Sequence, residues 1–380
     1  MWLLLLACRP LVEVVPRDGP QVRYSPVPEP EGEAAELVLR VPEATWDLGL
    51  ARAARLLVAQ SQDRRGHLSV RAVSNAQGIA GYPGQASFAK EVNGGGFPEH
   101  LAEELSRFAL SSEHPVDVGL AWRDYGDGLR LWIGGIARRP LLLDPMPRDL
   151  VLDQPLAVFL ETKRQGLLLF MATPNQTVEV MEPSGNVALW VDRFHVPGAY
   201  TFEVVDPGEG EVLSLWRTYV EQEPDPVPAL VPLSEAYPDP IAAAEHLYAS
   251  LNDLRVEAGL GALKRFDNFE PLAREHAALM AHAGVVGHSL PGAPGVAARA
   301  QRDFIPLARH HEDVAVGYSW DEALELVQNS PGHLRNLLCE PCTHVSIGVA
   351  LEPTLKARPR LFVVWELLEF PSGLPERKPW

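Results

Sequence analysis

Cysteine is scarce in this chain, which has 3 cysteines among 380 residues. Two of them, Cys339 and Cys342, form one Cys-x-x-Cys pair, and a zinc ribbon is excluded because it needs a second such pair. An oxidoreductase dithiol would begin a helix after a strand, whereas this pair lies between a helical segment and a strand. The spacing therefore predicts a small disulfide that pins the turn, with two free thiols as the alternative.

Basic residues are also few. The chain carries 33 Lys and Arg against 50 Asp and Glu, which gives a net charge of −17 at pH 7. Residues 237–380 alone hold 18 acidic and 13 basic side chains, so no basic segment is concealed in that part of the chain. Nucleic-acid grooves and surfaces for anionic lipid both require clustered Lys and Arg. We therefore expect no nucleic-acid partner.

Long apolar runs are missing as well, since no stretch approaches the ~18 consecutive apolar residues of a membrane-spanning helix. The first seven residues, MWLLLLA, lead directly into Cys8. Leu5-Leu6-Ala7-Cys8 resembles a bacterial lipobox, in which the cysteine is lipidated, although an export signal normally has an apolar stretch of about 7–15 residues behind a charged start. We expect a protein outside the cytoplasm, either secreted or anchored to the membrane as a lipoprotein through Cys8. A cytoplasmic protein is the alternative.

The composition divides the chain into five segments. With 46% hydrophobic residues the chain can bury substantial cores, and its length allows two or three domains. The segments are a signal with a Pro-rich tether (1–42), an α+β domain (43–139), an immunoglobulin-like β-sandwich (140–222), a stiff Pro-rich linker (223–236) and a C-terminal domain (237–371). The sequence thus predicts a multidomain α+β protein.

Local patterns define the first two domains. In 43–139, apolar residues repeat at helical spacing over 48–58 and 101–108, and two apolar runs around Gly126-Asp127-Gly128 predict a β-hairpin. In 140–222, six short alternating runs separated by Pro, Gly and Asn predict a β-sandwich. Neither segment presents a recognisable catalytic motif.

The C-terminal segment contains eight of the 12 histidines. Asp239-Pro240 predicts the start of a helix, a second helix is predicted over 268–283, and Ser330-Pro331 predicts the start of a short helix. His276 falls on the apolar stripe of the second helix, where a core histidine bonded to a carbonyl is expected. His344 begins a strand and shares a face with small residues, which predicts room for a cavity above it.

Together these features resemble the CAP superfamily, named for cysteine-rich secretory proteins, antigen 5 and pathogenesis-related proteins, in its bacterial, SCP-like form. The resemblance covers the last third of the chain. Its motifs, in order, are Leu251-Asn252-Asp253-Leu254-Arg255, Val286-Gly287-His288-Ser289, Glu312-Asp313-Val314-Ala315-Val316-Gly317, Ser330-Pro331-Gly332-His333-Leu334-Arg335-Asn336 and Thr343-His344-Val345-Ser346-Ile347-Gly348-Val349.

The resemblance implies an α-β-α sandwich with a cleft of histidines and glutamates that in some members binds a divalent cation. The matching residues are His288, Glu312, His333 and His344. Two departures from the family pattern are Asp313, where Asn is usual, and Val286-Gly287, where an aromatic-Ser pair is usual. A loose echo between 115–121 and 343–350 is also compatible with a degenerate CAP-like domain at 43–139 that lacks the histidines.

Three functions are compatible with these residues. We expect a binding module of the bacterial envelope, for a small apolar or envelope-derived ligand or a surface protein. Its cleft of His288, Glu312, His333 and His344 would hold Zn²⁺ or another divalent cation as an optional, not a required, cofactor. The alternative is a hydrolase of peptide or cell-envelope material, with Glu312, His288 and His344 as candidate catalytic residues. The second alternative is a purely structural surface protein.

Overall fold

The structure, a computed structural model, describes residues 19–26, 31–61, 66–190, 193–208, 210–231, 239–290, 292–295, 298–299, 307–353 and 359–371. The predicted signal segment and Cys8 lie outside the described residues. Within these ranges, none of the helices combines the length and the apolar character that crossing a bilayer requires.

The predicted tether is partly ordered. Strand β1 (Gln21–Val22) pairs antiparallel with Met146–Pro147, and helix α1 spans Glu33–Arg40. Leu37 on α1 is fully buried, because this short helix has an apolar face that packs on the neighbouring sheet. The Pro- and Glu-rich composition of the segment conceals this face, and the prediction of a tether does not hold for 33–42.

The N-terminal domain has three layers. Its four-stranded sheet has the order β2-β4-β5-β3. Helices α1 and α4 pack on one face, and α2 and α3 on the other. The predicted helices and hairpin are present, and α3 and β3 are additional. The elements are β2 (Ala44–Trp46), α2 (Leu48–Gln60), α3 (Val70–Ala80), β3 (Ala86–Asn93), α4 (Glu99–Leu110), β4 (Val116–Asp124) and β5 (Arg130–Arg138).

The middle domain consists of two sheets around one core, to which both contribute buried side chains. The order is β11-β10-β13-β14-β8 in the larger sheet and β12-β9-β6 in the smaller one. The six predicted runs are all strands. The elements are β6 (Leu142–Leu143), β7 (Met146–Pro147), β8 (Asp149–Leu150), β9 (Leu156–Glu161), β10 (Leu168–Ala172), β11 (Val178–Met181), β12 (Val187–Trp190), β13 (Gly198–Asp206) and β14 (Glu211–Val220).

The Pro-rich segment after β14 packs against the N-terminal domain. Val227 is buried among side chains of α2 and α3, and Val231 forms an isolated bridge with His67. Apolar residues placed between the prolines allow this extended segment to bury side chains along the domain. The described part of the predicted linker therefore packs against the N-terminal domain in addition to joining the domains covalently.

The C-terminal domain also has three layers. Its sheet has the order β15-β17-β18-β16, with α5, α7 and α8 on one face and α6 on the other. The predicted caps Asp239 and Ser330 are present, since each accepts a bond from the first turn of a helix, and Ser319 does the same at a further helix. The elements are α5 (Pro240–Glu257), β15 (Lys264–Arg265), α6 (Glu270–Ala283), β16 (Arg309–Gly317), α7 (Trp320–Gln328), α8 (Pro331–Leu337), β17 (His344–Leu351) and β18 (Leu361–Glu369).

The two four-stranded sheets share one topology. In each, the first and third strands along the chain pair in parallel, and the fourth pairs antiparallel with both the third and the second. In each, a glycine on the third strand touches the backbone of a helix. A Cβ on Gly348 would lie 2.1 Å from the carbonyl carbon of Ala273, and one on Gly119 would lie 2.3 Å from the backbone nitrogen of Ala51.

The small residues that follow His344 therefore have a different role from the one the sequence predicts. Gly348 does not leave a cavity on this face, because the backbone of α6 fills the space. Small side chains on β17 allow the helix to lie directly on the sheet.

A buried carboxylate joins the middle domain to the C-terminal one. Glu203 on β13 is 0% exposed, and its side chain accepts hydrogen bonds from the backbone N–H of Gly332 (2.6 Å) and from the hydroxyl of Ser330 (2.9 Å). Burial raises the pKa of Glu203 to about 7, although both hydrogen bonds oppose the rise. The start of α8 is thus held by a residue from another domain.

One arginine contacts all three domains. Arg217 on β14 donates to the side-chain oxygens of Asn75 on α3 (3.2 Å) and of Asn329 at the end of α7 (2.7 Å). Close by in the fold, His67 and Glu322 form a buried pair at 2.5 Å between the first and third domains. The three domains therefore form one packed unit.

The glycine contacts generate the first prediction. Gly348→Ala and Gly119→Ala should each destabilise the chain by about 1–3 kcal/mol or more, because the added methyl group overlaps helix backbone that cannot move aside. Gly261→Ala is the matched control, since a Cβ at Gly261 would meet nothing within 4 Å. Urea unfolding of the full chain measures the change. Equal stability of Gly348→Ala and the control would contradict the close approach of α6.

The second prediction concerns the contact between domains. Glu203→Ala should lower the free energy of unfolding by about 1–3 kcal/mol at pH 7, because the Ser330 hydroxyl and the Gly332 N–H lose their buried acceptor. Since the folded pKa of Glu203, about 7, lies above its ordinary value of 4.5, the wild type should lose stability as the pH rises between these values. Glu203→Gln should lose this part of the pH dependence. Glu161→Ala, an exposed change on β9, is the control, and matching unfolding curves for Glu203→Ala and Glu161→Ala would refute the role.

Candidate functional site

The candidate site is organised around Glu312, in the middle of β16. The strand alternation directs its side chain to the face of the sheet that α6 covers, where only 1% of the side chain is exposed. Its Oε1 lies 3.0 Å from Nδ1 of His288 and 3.9 Å from Nε2 of His276, and its Oε2 is paired with Arg299. Two imidazoles and a guanidinium thus surround the buried carboxylate of Glu312.

His276 fixes the loop that carries His288. It lies on the buried stripe of α6 and is 0% exposed. Its Nε2 donates to the backbone carbonyl of Gly287 at 2.9 Å, so the sequence prediction of a core histidine bonded to a carbonyl is confirmed. Burial lowers the pKa of His276 despite the nearby Glu312. The ring is therefore neutral at pH 7 and positions the residue that precedes His288.

Arg299 closes the site from the other side, and no pattern in the sequence points to it. Its Nη1 donates to the backbone carbonyls of His288 (3.0 Å) and Pro294 (2.9 Å), and its Nη2 donates to Glu312. Burial alone would raise the pKa of Glu312, but the hydrogen bond from His288 and the charge of Arg299 more than offset it, and the pKa is lowered. Glu312 is consequently ionised at neutral pH.

His288 is the accessible member of the group, with 37% of its side chain exposed. An ionised carboxylate only accepts hydrogen bonds, so the proton of a neutral His288 ring lies on Nδ1, facing Glu312. This tautomer leaves a lone pair on Nε2, which can accept a hydrogen bond or take up a proton. The arrangement matches the orienting carboxylate and imidazole base of hydrolytic triads.

His333 approaches the same place from α8. Its ring centroid lies 6.1 Å from that of His288, and its backbone N–H bonds to the hydroxyl of Ser330 at 3.4 Å. Burial, with a smaller contribution from His288, lowers the pKa of His333 to about 4. His333 is therefore a neutral, half-buried ring at pH 7.

His344 lies elsewhere on the sheet. It starts β17, and β18 lies between β17 and β16, so two strand spacings of roughly 4.8 Å separate its strand from that of Glu312. Its ring packs against Phe370 (centroids 4.9 Å apart) and Phe266 (5.9 Å), and its Nδ1 lies 2.9 Å from the hydroxyl of Thr343. The fold thus brings together His288, Glu312 and His333 and sets His344 among aromatic side chains.

Asp313, the departure from the family pattern, faces the opposite side of the sheet. It is 0% exposed, and its Oδ1 accepts a hydrogen bond of 2.8 Å from the amide of Asn336. Burial raises its pKa well above the ordinary value, against the effect of Asn336. Burial therefore favours the uncharged, protonated form of Asp313.

A second acid–imidazole pair was not predicted from the sequence. Glu366 on β18 lies opposite Glu312 in the strand register and pairs with His310. Burial raises the pKa of Glu366 to about 7, while the bond from His310 lowers it. The periodicity of β16 could have indicated this pair, because His310 and Glu312 are two residues apart and share one face.

The arrangement does not fit a divalent cation among the predicted ligands. Within the described ranges, the one group of three histidine, cysteine or acidic side chains whose ligand atoms all lie within 4.8 Å of one another is His311 with Cys339 and Cys342. Glu312, which would be the anionic ligand, is already neutralised by Arg299. A cation there would have to displace or tolerate a buried guanidinium.

Comparison with known proteins finds similar solved structures, among them the following three. The first, an outer surface protein of Borrelia burgdorferi, is 20% identical, with a TM-score of 0.31, and covers 36% of this chain and 98% of its own. An extracellular protein containing a SCP domain from Bacillus anthracis is 15% identical (TM-score 0.32; 56% and 81%). A cysteine-rich secretory protein from Staphylococcus aureus is 12% identical (TM-score 0.29; 60% and 82%).

No family model matches the chain, and no curated protein matches it. At TM-scores of about 0.3 the structural likenesses do not establish a family. A functional assignment therefore depends on the contacts within the site and on the motifs of the sequence.

The third prediction concerns Asp313. Asp313→Asn should raise the melting temperature by a few degrees at pH 8 and by less at pH 5, since about 1 kcal/mol corresponds to roughly 2–4 °C. The reason is that a raised folded pKa makes stability fall as the pH rises above the unfolded value, and the amide has no proton to lose. Calorimetry of the full chain at both pH values measures this. Asp253→Asn, an exposed change on α5, is the control, and a pH-independent shift would exclude titration of Asp313 as the cause.

Proposed function

We propose that this chain is an extracytoplasmic binding protein with a CAP-like C-terminal domain. Its ligand is a small molecule of the cell envelope that is held at the cleft of His288, Glu312 and His333. The observation that carries the proposal is the exposed His288 ring, oriented by a carboxylate that is only 1% exposed. A lipid anchor at Cys8, or release after export, would place this cleft outside the cytoplasm.

The chemistry of the cleft indicates what the ligand presents. The His288 tautomer set by Glu312 offers an acceptor on Nε2, and the nearby His333 ring is neutral at pH 7. A ligand with a hydroxyl or amide N–H group can donate to His288, while its apolar part lies against the neighbouring rings. Sugar hydroxyls and peptide amides of envelope polymers both meet this requirement.

We further propose that this binding uses no metal ion. Arg299 supplies the positive charge that a divalent cation would bring to Glu312, and its hydrogen bonds to two carbonyls make it part of the loop structure. The protein thereby keeps Glu312 ionised without a cofactor. This departs from the metal-binding members of the family that the motifs resemble.

The N-terminal domain is, in this proposal, a degenerate copy of the C-terminal one. The common strand order supports this, and so do the matching contacts of Gly119 and Gly348 with the backbone of a helix. If these glycines are equivalent, the strand registers align the rest of the two sheets. The domain would then serve as a scaffold that packs on the ligand-binding one.

The aligned positions support loss of the site from this copy. The peptide bond that faces the glycine joins Leu50 to Ala51 in the N-terminal domain and Ala273 to Arg274 in the C-terminal one. Three positions on from Leu50 and from Ala273, the N-terminal domain has Ala53 where the C-terminal one has His276. The strand pair Ala86–Ala137 likewise takes the place of Glu312–Glu366. Each of these polar groups of the buried cluster thus has an alanine as its counterpart.

A hydrolase is the second candidate, and the His288–Glu312 pair supports it. An imidazole whose Nδ1 is held by a carboxylate can act as a general base through Nε2. In this mechanism the attacking group is a water molecule that His288 activates as general base. Substrates would be peptide or cell-envelope polymer, which present the same hydroxyl and amide groups.

The fourth prediction tests both functions with the full chain. Binding is measured with soluble peptidoglycan fragments and, separately, a long-chain fatty acid, and turnover with the same fragments. If the cleft binds ligand, His288→Ala should weaken binding about tenfold or more, since hydrogen bonds of this kind contribute roughly 1–3 kcal/mol. His282→Ala, a change of an exposed histidine on α6, is the control and should bind as the wild type does.

The outcomes separate the functions. Binding that depends on His288 without turnover supports the binding module, and turnover that Glu312→Gln abolishes with the fold intact supports the hydrolase. Binding that is equal in His288→Ala and the wild type contradicts the cleft as the site. A chain that neither binds nor turns over these probes, with both variants lowered only in stability, would favour the structural role.

A further inference from the structure

The end of α8 brings three metal-ligand side chains together, away from the cleft. Cys339 and Cys342 are joined as a disulfide across the turn that follows the helix. A ring nitrogen of His311 and the two sulfur atoms all lie within 4.8 Å of one another. This cluster combines residues from two distant parts of the chain, and no sequence motif links His311 to the cysteine pair.

The cluster is separate from the Glu312 site. His311 and Glu312 are neighbours on β16, so their side chains point to opposite faces of the sheet. His311 lies opposite Leu367 of β18, and Leu367 belongs to the core between the sheet and α5, α7 and α8. A ligand held by His311 is therefore not a ligand of the His288–Glu312 cleft.

We propose that the cluster becomes a Cys₂His site for Zn²⁺ when the disulfide is reduced. Thiolate and imidazole are the donors that Zn²⁺ takes in proteins, and three protein ligands leave one position for water or an external ligand. Bonds of about 2.3 Å to sulfur and 2.0 Å to nitrogen put the donors of a tetrahedral site roughly 3.3–3.8 Å apart. The three donor atoms already lie within 4.8 Å of one another, and reduction frees the two sulfurs to take up this spacing.

The turn is held in place by contacts other than the disulfide. Arg255, only 1% exposed, donates through Nη1 to the carbonyls of Leu337 (2.8 Å) and Cys339 (3.0 Å). The N–H of Thr343, which follows the second cysteine, bonds to the carbonyl of Leu368 at 3.0 Å. Both ends of the Cys-x-x-Cys segment therefore stay anchored after reduction, and the free thiols remain beside His311.

Reduction and metal binding are two balanced steps. Two thiol molecules, or one dithiol, reduce the Cys339–Cys342 bond, giving two protein thiols and the oxidised disulfide of the reductant. Zn²⁺ then binds both sulfurs and the neutral His311 ring and releases the two thiol protons to solvent. The oxidised chain has no thiolate to offer at this site, so metal binding reports the redox state of the pair.

The test is a Zn²⁺ titration of the full chain, as the disulfide and as the dithiol, with Cys8→Ser in every sample so that the third thiol cannot contribute. The reduced chain should bind one Zn²⁺ and the oxidised chain none. Co²⁺ in place of Zn²⁺ should give the near-ultraviolet absorption of a thiolate–cobalt bond. His311→Ala should weaken Zn²⁺ binding at least about tenfold, since losing even an outer partner of a ligand costs about 10–100-fold.

Two control variants distinguish this site from other histidines. His282→Ala and His288→Ala should leave binding by the reduced chain unchanged, and circular dichroism checks that each variant is folded. Equal Zn²⁺ affinity of the oxidised and reduced chains, or no binding by the reduced chain, would overturn the proposal. Unchanged affinity in His311→Ala would overturn it as well. The cobalt band of the Cys8→Ser chain gives a result that does not depend on whether the histidine variants fold.

Discussion

The ion pair between Glu312 and Arg299 is the interaction on which the candidate site depends. A carboxylate that is 1% exposed and ionised would be strongly unfavourable without a partner, because desolvating a charge costs several kcal/mol. The guanidinium compensates this charge and also binds the carbonyl of His288, so one side chain sets both the charge of Glu312 and the position of the exposed ring. His276, through the carbonyl of Gly287, restrains the same loop from α6. The exposed part of the site is thus positioned by a fully buried part.

The same fold carries such a site in one domain and lacks it in the other. Both sheets have a helix lying directly against a glycine of the third strand, and this close packing requires no polar residue. In the proposed equivalence, alanines occupy the positions of His276, Glu312 and Glu366 in the N-terminal domain, so the shared strand order does not require these polar groups. A cluster that the fold does not require, and that buries charge at a cost, is the kind of feature that function maintains.

Contacts between domains connect the site with the rest of the chain. Glu203 of the β-sandwich binds the start of α8, the helix that carries His333, and Arg217 joins the sandwich to both flanking domains. The Pro-rich segment reinforces this union by burying Val227 against the N-terminal domain. A movement of one domain would therefore change the position of His333. The carboxyl group of Glu203, with a pKa of about 7, makes this contact sensitive to pH near neutrality.

Short-range rules within the sequence specify the local elements and most members of the cleft. Helix caps such as Asp239 and Ser330, the hairpin of the N-terminal domain and the strands of the β-sandwich obey these rules, and the motifs identify His288, Glu312 and His333 as neighbours. The tertiary structure determines which further residues belong to the site and which predicted members lie outside it. Arg299 and Glu203 belong to no motif, because their partners come from other elements of the fold, and His344 is set apart by the strand order. The small side chains on the face of His344 are compatible with an open cavity and with a closely packed helix, and the sequence pattern does not distinguish the two. Pairings between distant residues depend on the packing of whole elements, which no local pattern contains.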